Sequence, residues 1–438
     1  MNPSNGSQGF DRRSFFGSLA AAGLTGSVLA SGVDAFAQDG AKAAEKPAQP
    51  EQPAQYAASF PLLQNVTETS ASIAWSLNRP ATGWVEWGTT PDLGKFARNS
   101  VFGLNPYETD FLNARIEGLA PNTKYYYRTA TCAFDYKSAY DKTVSAPQYS
   151  DVYSFETVGP APETASFAVM NDTHGTVPTI SKLIERFDEL KPNFVVWNGD
   201  VCSDYMTSEI AKKAIANPNG KPYAAERPIV FAAGNHDRRG KWVRELTKCF
   251  TTWKHDDPRF AELGCNYAFR QGPLAAVVLD TGEDKPDWHP AWSSMANYEP
   301  YRELQAAWLE SALSRPEIAS APFIVAFCHI PLYDANPKAN PGNILDQWAS
   351  YQWTCQKLWG PILHKHGVQL LVAAHQHRFS YAEPTAERGW AQIVGGGPEL
   401  KGATCIHATV TKDELKLSAE MVADKKALGS WTFKPRKV

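Results

Sequence analysis

Cysteine, methionine and net charge are all scarce in this chain: 438 residues hold seven Cys, five Met and a formal charge of −3. The cysteines stand at 132, 202, 249, 265, 328, 355 and 405, an odd number with no CxxC pair. That pattern argues against a disulfide framework and against a thiolate zinc site. The near balance of charge argues against a broad surface for the phosphates of nucleic acid. Beyond the first 37 residues, no run is long and apolar enough to cross a bilayer. Aromatics, by contrast, are plentiful at 12%, with 14 Trp, which suits a well-buried core or an aromatic-lined cleft. Hydrophobic residues at 43% and charged residues at 20% read as globular, and the length fits two domains plus extras.

The first segment reads as an address and not as part of a fold. "DRRSFFG" (11–17) sets Arg12 and Arg13 ahead of Phe15 and Phe16; a small, mildly apolar run follows and ends in "AFA" (35–37). This resembles a twin-arginine export signal, cleaved before Gln38. Gly, Ser, Ala and Asp34 make the run a poor spanning helix. The expectation is a mature protein free of the membrane, carried by the twin-arginine machinery to the periplasm, cell surface or medium. That route exports folded protein, which agrees with the absence of a disulfide pattern.

Residues 38–56 are Ala, Pro, Gln and Glu with little to bury, and read as a flexible linker. From 57 to 158 the pattern is strand after strand: Ile73, Trp75 and Leu77 alternate, and "GWVEWGTT" (83–90) ends in a turn. Leu119-Ala-Pro-Asn-Thr-Lys-Tyr125 resembles the tyrosine corner of fibronectin type III domains, so an all-β sandwich is expected here. From 164 to 438 strands alternate with helices. "PTISKLIERFDELKP" places Ile180, Leu183, Ile184, Phe187 and Leu190 on one helical face. This second unit is expected to be a layered α/β or α+β domain.

Five of its strand ends carry residues able to bind a metal: Asp172-Thr-His174, Gly199-Asp200, Gly234-Asn235-His236-Asp237, Cys328-His329 and His375-Gln-His377. Five of the chain's ten His fall in these short places. Strand carboxyl ends in α/β domains converge on one crevice. Taken singly, each is as well explained as a turn former or a satisfied histidine; together they point to a metal site. His255, His289, His364, His366 and His407 lack such company, although "HKH" at 364–366 is a weak metal candidate. Arg238 and Arg239 could grip a substrate phosphate, and a solvated turn explains them at least as well. Cys202 and Cys328 read as small packing residues.

In this order the five motifs resemble the calcineurin-like metallophosphoesterase family over residues 164–410, and a sandwich ahead of such a core resembles the purple acid phosphatase branch. The resemblance implies an αββα sandwich holding two metal ions. It assigns Asp172, His174, Asp200 and His377 to one ion and Asp200, Asn235, His329 and His375 to the other, with Asp200 bridging. Oxygen and imidazole donors without thiolate suit Fe, Mn or Zn. It further implies that a hydroxide held by the pair attacks phosphorus, that His236 protonates the leaving oxygen, and that Asp237 orients His236. The purple branch has a tyrosine three residues after the bridging Asp; here that place is Ser203. A colourless enzyme is therefore expected, with His174 in the tyrosine's place. Ala374 stands where the family has Gly.

The resulting expectation is an exported hydrolase of small phosphate esters, acting as a phosphatase on monoesters. The alternatives are a phosphodiesterase on nucleotides or lipid headgroups, and a non-catalytic surface-binding protein that works through its sandwich. No basic stripe suggests a nucleic-acid polymer as partner.

Overall fold

The computed structural model describes residues 55–333 and 348–437. The leader at 1–37, nearly all of the linker at 38–56 and nearly all of the loop at 333–348 lie outside the described residues. Residues Ala54–Val438 form one compact unit.

Two sheets face each other. The first has nine strands, in the order Ala427–Phe433, Leu415–Met421, Thr404–Thr411, Thr164–Met170, Phe194–Asn198, Ile229–Ala232, Leu62–Gln64, Ser70–Ser76, Phe111–Glu117. The second has six: Tyr267–Gln271, Leu274–Leu279, Phe323–Cys328, Leu370–Ala373, Ala391–Val394, Ser380–Ala382. Alternation along each strand sorts side chains between two layers. Phe167 and Val169 point inward and share a core with Phe327 and Val372 of the facing sheet, the rings of Phe167 and Phe327 meeting edge-on at 5.1 Å. Ala168 and Met170 point outward beneath helix Val177–Leu190. On the far side, Ile324 and Ala326 pack under helices Tyr298–Ser314 and Trp348–Lys365 through Trp308, Leu309 and Trp359. The layers are helix, sheet, sheet, helix. Each fully buried Phe or Leu contributes about 2 kcal/mol by the area it removes from water.

Helix Val177–Leu190 shows why the local sequence suffices. Ile180, Leu183, Ile184 and Phe187 form its buried stripe, and Leu190 packs at the margin. Pro178 suits its first turn, whereas Pro192 cannot continue it. The chain leaves through Lys191 in a left-handed conformation, whose N–H returns to the Phe187 carbonyl.

The sandwich is present, with its corner: the Tyr125 hydroxyl accepts the Ala120 N–H at 2.9 Å. Its smaller sheet is built on strands Ala81–Gly88 and Lys124–Tyr136. Its other sheet is not separate. Strands Leu62–Gln64, Ser70–Ser76 and Phe111–Glu117 extend the nine-stranded sheet, because Gln64 pairs in parallel with Ile229. Two further ties cross the same seam: Leu63 N–H donates to the Ala224 carbonyl at 2.9 Å, and the Tyr127 hydroxyl to the Ala225 carbonyl at 2.6 Å. Residues of both parts enter one hydrophobic core. No helix of the described residues is long and apolar enough to cross a membrane.

Candidate metal centre

Strands Thr164–Met170, Phe194–Asn198 and Ile229–Ala232 run parallel to one another, as do Phe323–Cys328 and Leu370–Ala373. Their carboxyl ends deliver all five motifs to one place. The chain there must turn sharply, and it does so through unusual backbone. Asp172, His174, Asp200, His375 and His377 all adopt left-handed φ, between 45° and 69°. Asp and His tolerate this region better than most residues, yet each such turn stores strain of order 1 kcal/mol, and strain of this kind gathers at functional sites. Gly199, at φ 80°, is required outright: a Cβ there would lie 2.3 Å from Nδ1 of His329.

The ligand atoms form two overlapping groups, each within 4.8 Å: Asp172, His174, Asp200 and His377, and Asp200, His329 and His375. Asp200 belongs to both. Its Oδ2 lies 3.1 Å from His329 Nε2 and 3.7 Å from His174 Nε2. His174 Nε2 and His377 Nε2 are 3.1 Å apart, and Asn235 Oδ1 lies 3.0 Å from His375 Nδ1. All seven residues named from the sequence therefore lie together at one place, Asn235 through its contact with His375.

This arrangement fits a pair of cations. Asp172 Oδ1 and His329 Nε2 are buried without a well-aligned hydrogen bond, and their near neighbours are other atoms of the cluster. Such orphaned polar atoms cost about 1–3 kcal/mol each unless something else satisfies them. His329 is pre-set for coordination: its Nδ1 donates to the Asn198 carbonyl at 2.9 Å, which leaves Nε2 as the donor atom facing Asp172 and Asp200. Asp172 is steadied through its other oxygen by the Asn171 amide at 2.7 Å and the His375 N–H at 2.9 Å.

The electrostatics follow from the crowding. Burial alone would raise the Asp200 carboxyl, but the adjacent His329 imidazole more than offsets it and holds Asp200 well below its usual value. Burial likewise works against a charged His329, yet Asp200 and Asp172 overcome it and lift the imidazole to about 10. Burial brings His174 and His375 down to about 4. In the metal-free protein at neutral pH, His329 thus carries a proton where a ligand must be neutral. Being raised, its contribution to metal-free stability is complete below the ordinary histidine value and is lost as pH climbs to about 10. Metal uptake must expel that proton, so affinity is expected to rise with pH across the neutral range. Calorimetric titration in buffers of different ionisation heat should count about one proton released.

The Asp237 expectation needs correction. Asp237 does not hold His236. Its Oδ2 accepts the N–H groups of Asp200 and Gly234, both at 2.9 Å, and its Oδ1 accepts Val201 N–H at 3.2 Å and the Tyr205 hydroxyl at 2.8 Å. It clasps the two ligand loops together from below. Burial raises this carboxyl to about 6, the charge of Asp200 adding to the effect, while Gly234 and Tyr205 pull it down. His236 is oriented instead by the Ser203 carbonyl, 2.6 Å from its Nδ1, and its own N–H donates to Asp200 Oδ1 at 2.9 Å. Ser203 Oγ lies 3.2 Å from His174 Nδ1. The Tyr205 hydroxyl is committed to Asp237, away from the ligand cluster.

Sequence reading passed over Asn198. Its amide donates to the Cys328 carbonyl at 3.1 Å and the Val372 carbonyl at 3.2 Å, stitching the nine-stranded sheet to two strands of the other beneath the ligands. Asn198→Ala is expected to cost about 2 kcal/mol in denaturant unfolding, by orphaning two buried carbonyls. The one available signal was a polar residue ending an otherwise apolar strand. Arg238 is no solvated turn either; it pairs with buried Asp280. Four of the five remaining histidines bond elsewhere: His255 to Leu263, His289 to Ala291, His364 to Gly389 and His366 to Glu310. Cys202 is buried with its thiol pushed up to about 12, and all seven cysteines are free.

Known proteins share this plan. Residues 165–379 match the model of the calcineurin-like phosphoesterase family, and residues 60–157 match the purple acid phosphatase N-terminal domain. Purple acid phosphatase 18 of Arabidopsis thaliana is 24% identical over 321 residues, which is 70% of this chain and 62% of that protein. Purple acid phosphatase 23 of the same plant is 24% identical over 317 residues, 63% of this chain and 59% of its own length. The chain spans about three fifths of the length of these curated relatives. Among solved structures, purple acid phosphatase PPD1 from yellow lupin (Lupinus luteus) seeds superposes with a TM-score of 0.59 at 15% identity, covering 85% of this chain and 74% of that one. PhoD superposes with a TM-score of 0.59 at 14% identity, covering 88% and 92%. At such identities the likeness to the solved structures establishes the fold.

Proposed function

Because this chain carries a calcineurin-like metallophosphoesterase domain behind a purple acid phosphatase N-terminal domain, we propose that it is an exported, metal-dependent hydrolase of small phosphate esters, acting on monoesters. The observation that carries the reading is the doubled ligand cluster sharing Asp200. Asp172, His174, Asp200 and His377 would hold one ion, and Asp200, Asn235, His329 and His375 the other. The donor set of carboxylate, amide and imidazole suits Fe, Mn or Zn. When bound, two such ions supply Lewis-acid charge neutralisation and a nucleophile at neutral pH.

The chain's own residues do the rest. Asp172, Asp200 and the buried His329 fix the cluster on strand ends, so little reorganisation remains when charge develops on phosphorus. His236 stands beside the cluster, its ring 4.8 Å from that of His174, and is placed to protonate the leaving oxygen. Support for export rests on the twin arginines at 12 and 13 and on the free cysteines.

The test is direct. Residues 38–438 would be expressed, metals counted, and 4-nitrophenyl phosphate compared with bis(4-nitrophenyl) phosphate. About two metals per chain and faster turnover of the monoester are expected. His236→Ala should lower kcat on the order of 10²-fold or more with the metals retained. No bound metal after reconstitution with Mn, Fe and Zn would sink the proposal.

A further inference from the structure

One charged cluster at the rim of the centre is not used by the mechanism above. The guanidinium of Arg239 is clamped from one side: Nε donates to Glu283 Oε1 at 2.8 Å, and Nη2 to Glu283 Oε2 at 2.9 Å and Asp284 Oδ1 at 3.2 Å. Glu283 is buried, and its backbone carbonyl accepts Arg302 at 2.7 Å. The fork is therefore fixed on a rigid support, and only Nη1 is left to face the centre. Nη1 sits 3.0 Å from Nε2 of His236. The same Nη1 lies 3.4 Å from Nδ1 of His236, and that ring nitrogen is 2.6 Å from the Ser203 carbonyl.

We propose that Arg239 is a substrate-binding residue whose Nη1, held beside His236, takes an unesterified oxygen of the phosphate and so selects monoesters over diesters. This inference rests on the hydrolase reading and deepens it. A guanidinium N–H held 3.0 Å from His236 can reach an unesterified oxygen of a phosphate whose leaving oxygen faces His236. On binding, the anionic oxygen accepts from the Arg239 guanidinium, while His236 stays with the leaving oxygen. A monoester keeps three unesterified oxygens and a diester two. A charged donor beyond two cations therefore finds a partner oxygen of its own only in the monoester. Asp284 and Glu283 do not cancel the effect at that point, because they bind the opposite edge of the fork. Trp292, whose ring lies 5.9 Å from the guanidinium, further walls this side.

The experiment uses metal-loaded protein with inorganic phosphate as the probe, read by calorimetry, alongside hydrolysis of the two nitrophenyl esters. Arg239→Ala is expected to weaken phosphate binding about tenfold or more, the scale of losing a charged hydrogen bond, with metal content unchanged. Its kcat/KM for the monoester should fall by at least the same factor, and for the diester by less than about threefold. Arg239→Lys, which keeps charge but loses the fork, should fall between; it decides the matter if the alanine variant loses its metals or its fold. Phosphate affinity within about twofold of wild type, or equal losses on both esters, would overturn the inference. If the wild type cleaves neither ester, the hydrolase reading fails, and the phosphate titration still decides whether Arg239 is an anion contact.

Discussion

Asp200→Asn should remove ester hydrolysis almost completely, by about 10³-fold or more, and should empty both halves of the metal centre. The reason is geometric. Asp200 alone belongs to both ligand groups, with His174 and His329 on either side of the same oxygen. Its other oxygen receives the His236 N–H, so the carboxylate also seats the proposed acid. An amide keeps the shape and loses the charge that neutralises two cations. His329 then loses the carboxylate that lifts its imidazole most. The measurement is metal content together with turnover. Retention of two metals and more than about a tenth of the activity would show that Asp200 does not bridge, and the two-ion reading would fall with it.

Asp237→Asn is expected to be the most destabilising change near the site, by about 3 kcal/mol or more. Asp237 is wholly buried and accepts four hydrogen bonds, three from backbone N–H groups and one from the Tyr205 hydroxyl. An amide can accept at only one end. Its NH₂ would be pressed against donors whichever way it turned. The loops bearing Asp200 and Gly234 would lose their common anchor, so metal affinity should drop with stability. The alternative role, orienting His236, makes the opposite forecast: slower turnover with the stability and the metals intact. Urea unfolding of the metal-free protein, compared with wild type, separates the two. Full stability in the variant would return Asp237 to the orienting role and leave the clasp without a function.

The two variants bracket the centre from opposite sides. Asp200 faces the ions and acts through charge, whereas Asp237 faces away and acts through backbone. Gly199 and Gly234 explain why both fit: a Cβ on Gly234 would lie 2.4 Å from Asp200 Oδ1, and one on Gly199 would meet His329. The loops are packed too closely for any side chain there.

The sequence by itself determined whatever depends on near neighbours along the chain. Period-two alternation marked Ser70–Ser76, and the 3.6 period marked Val177–Leu190, because each element's apolar face is written in its own residues. The Tyr125 corner was legible because its bond spans only five residues. The seven candidate ligands were legible because each sits where an apolar run stops, and the carboxyl ends of parallel strands in α/β domains open on one side, here in both facing sheets. Only the tertiary structure decided the partners. Gln64 meeting Ile229, and so the fusion of sandwich and core into one sheet, depends on an edge that no local pattern encodes. Asn198 meeting Cys328 and Val372 depends on the facing of two sheets. Asp237 turning from its neighbour His236 to Asp200, Val201 and Tyr205 reversed the reading that adjacency suggested. Arg239 turning to Glu283 and His236 is a partnership that no local pattern announced. A hydrogen bond is chosen by distance and direction in space, and residues distant in sequence compete for it on equal terms once the chain has packed.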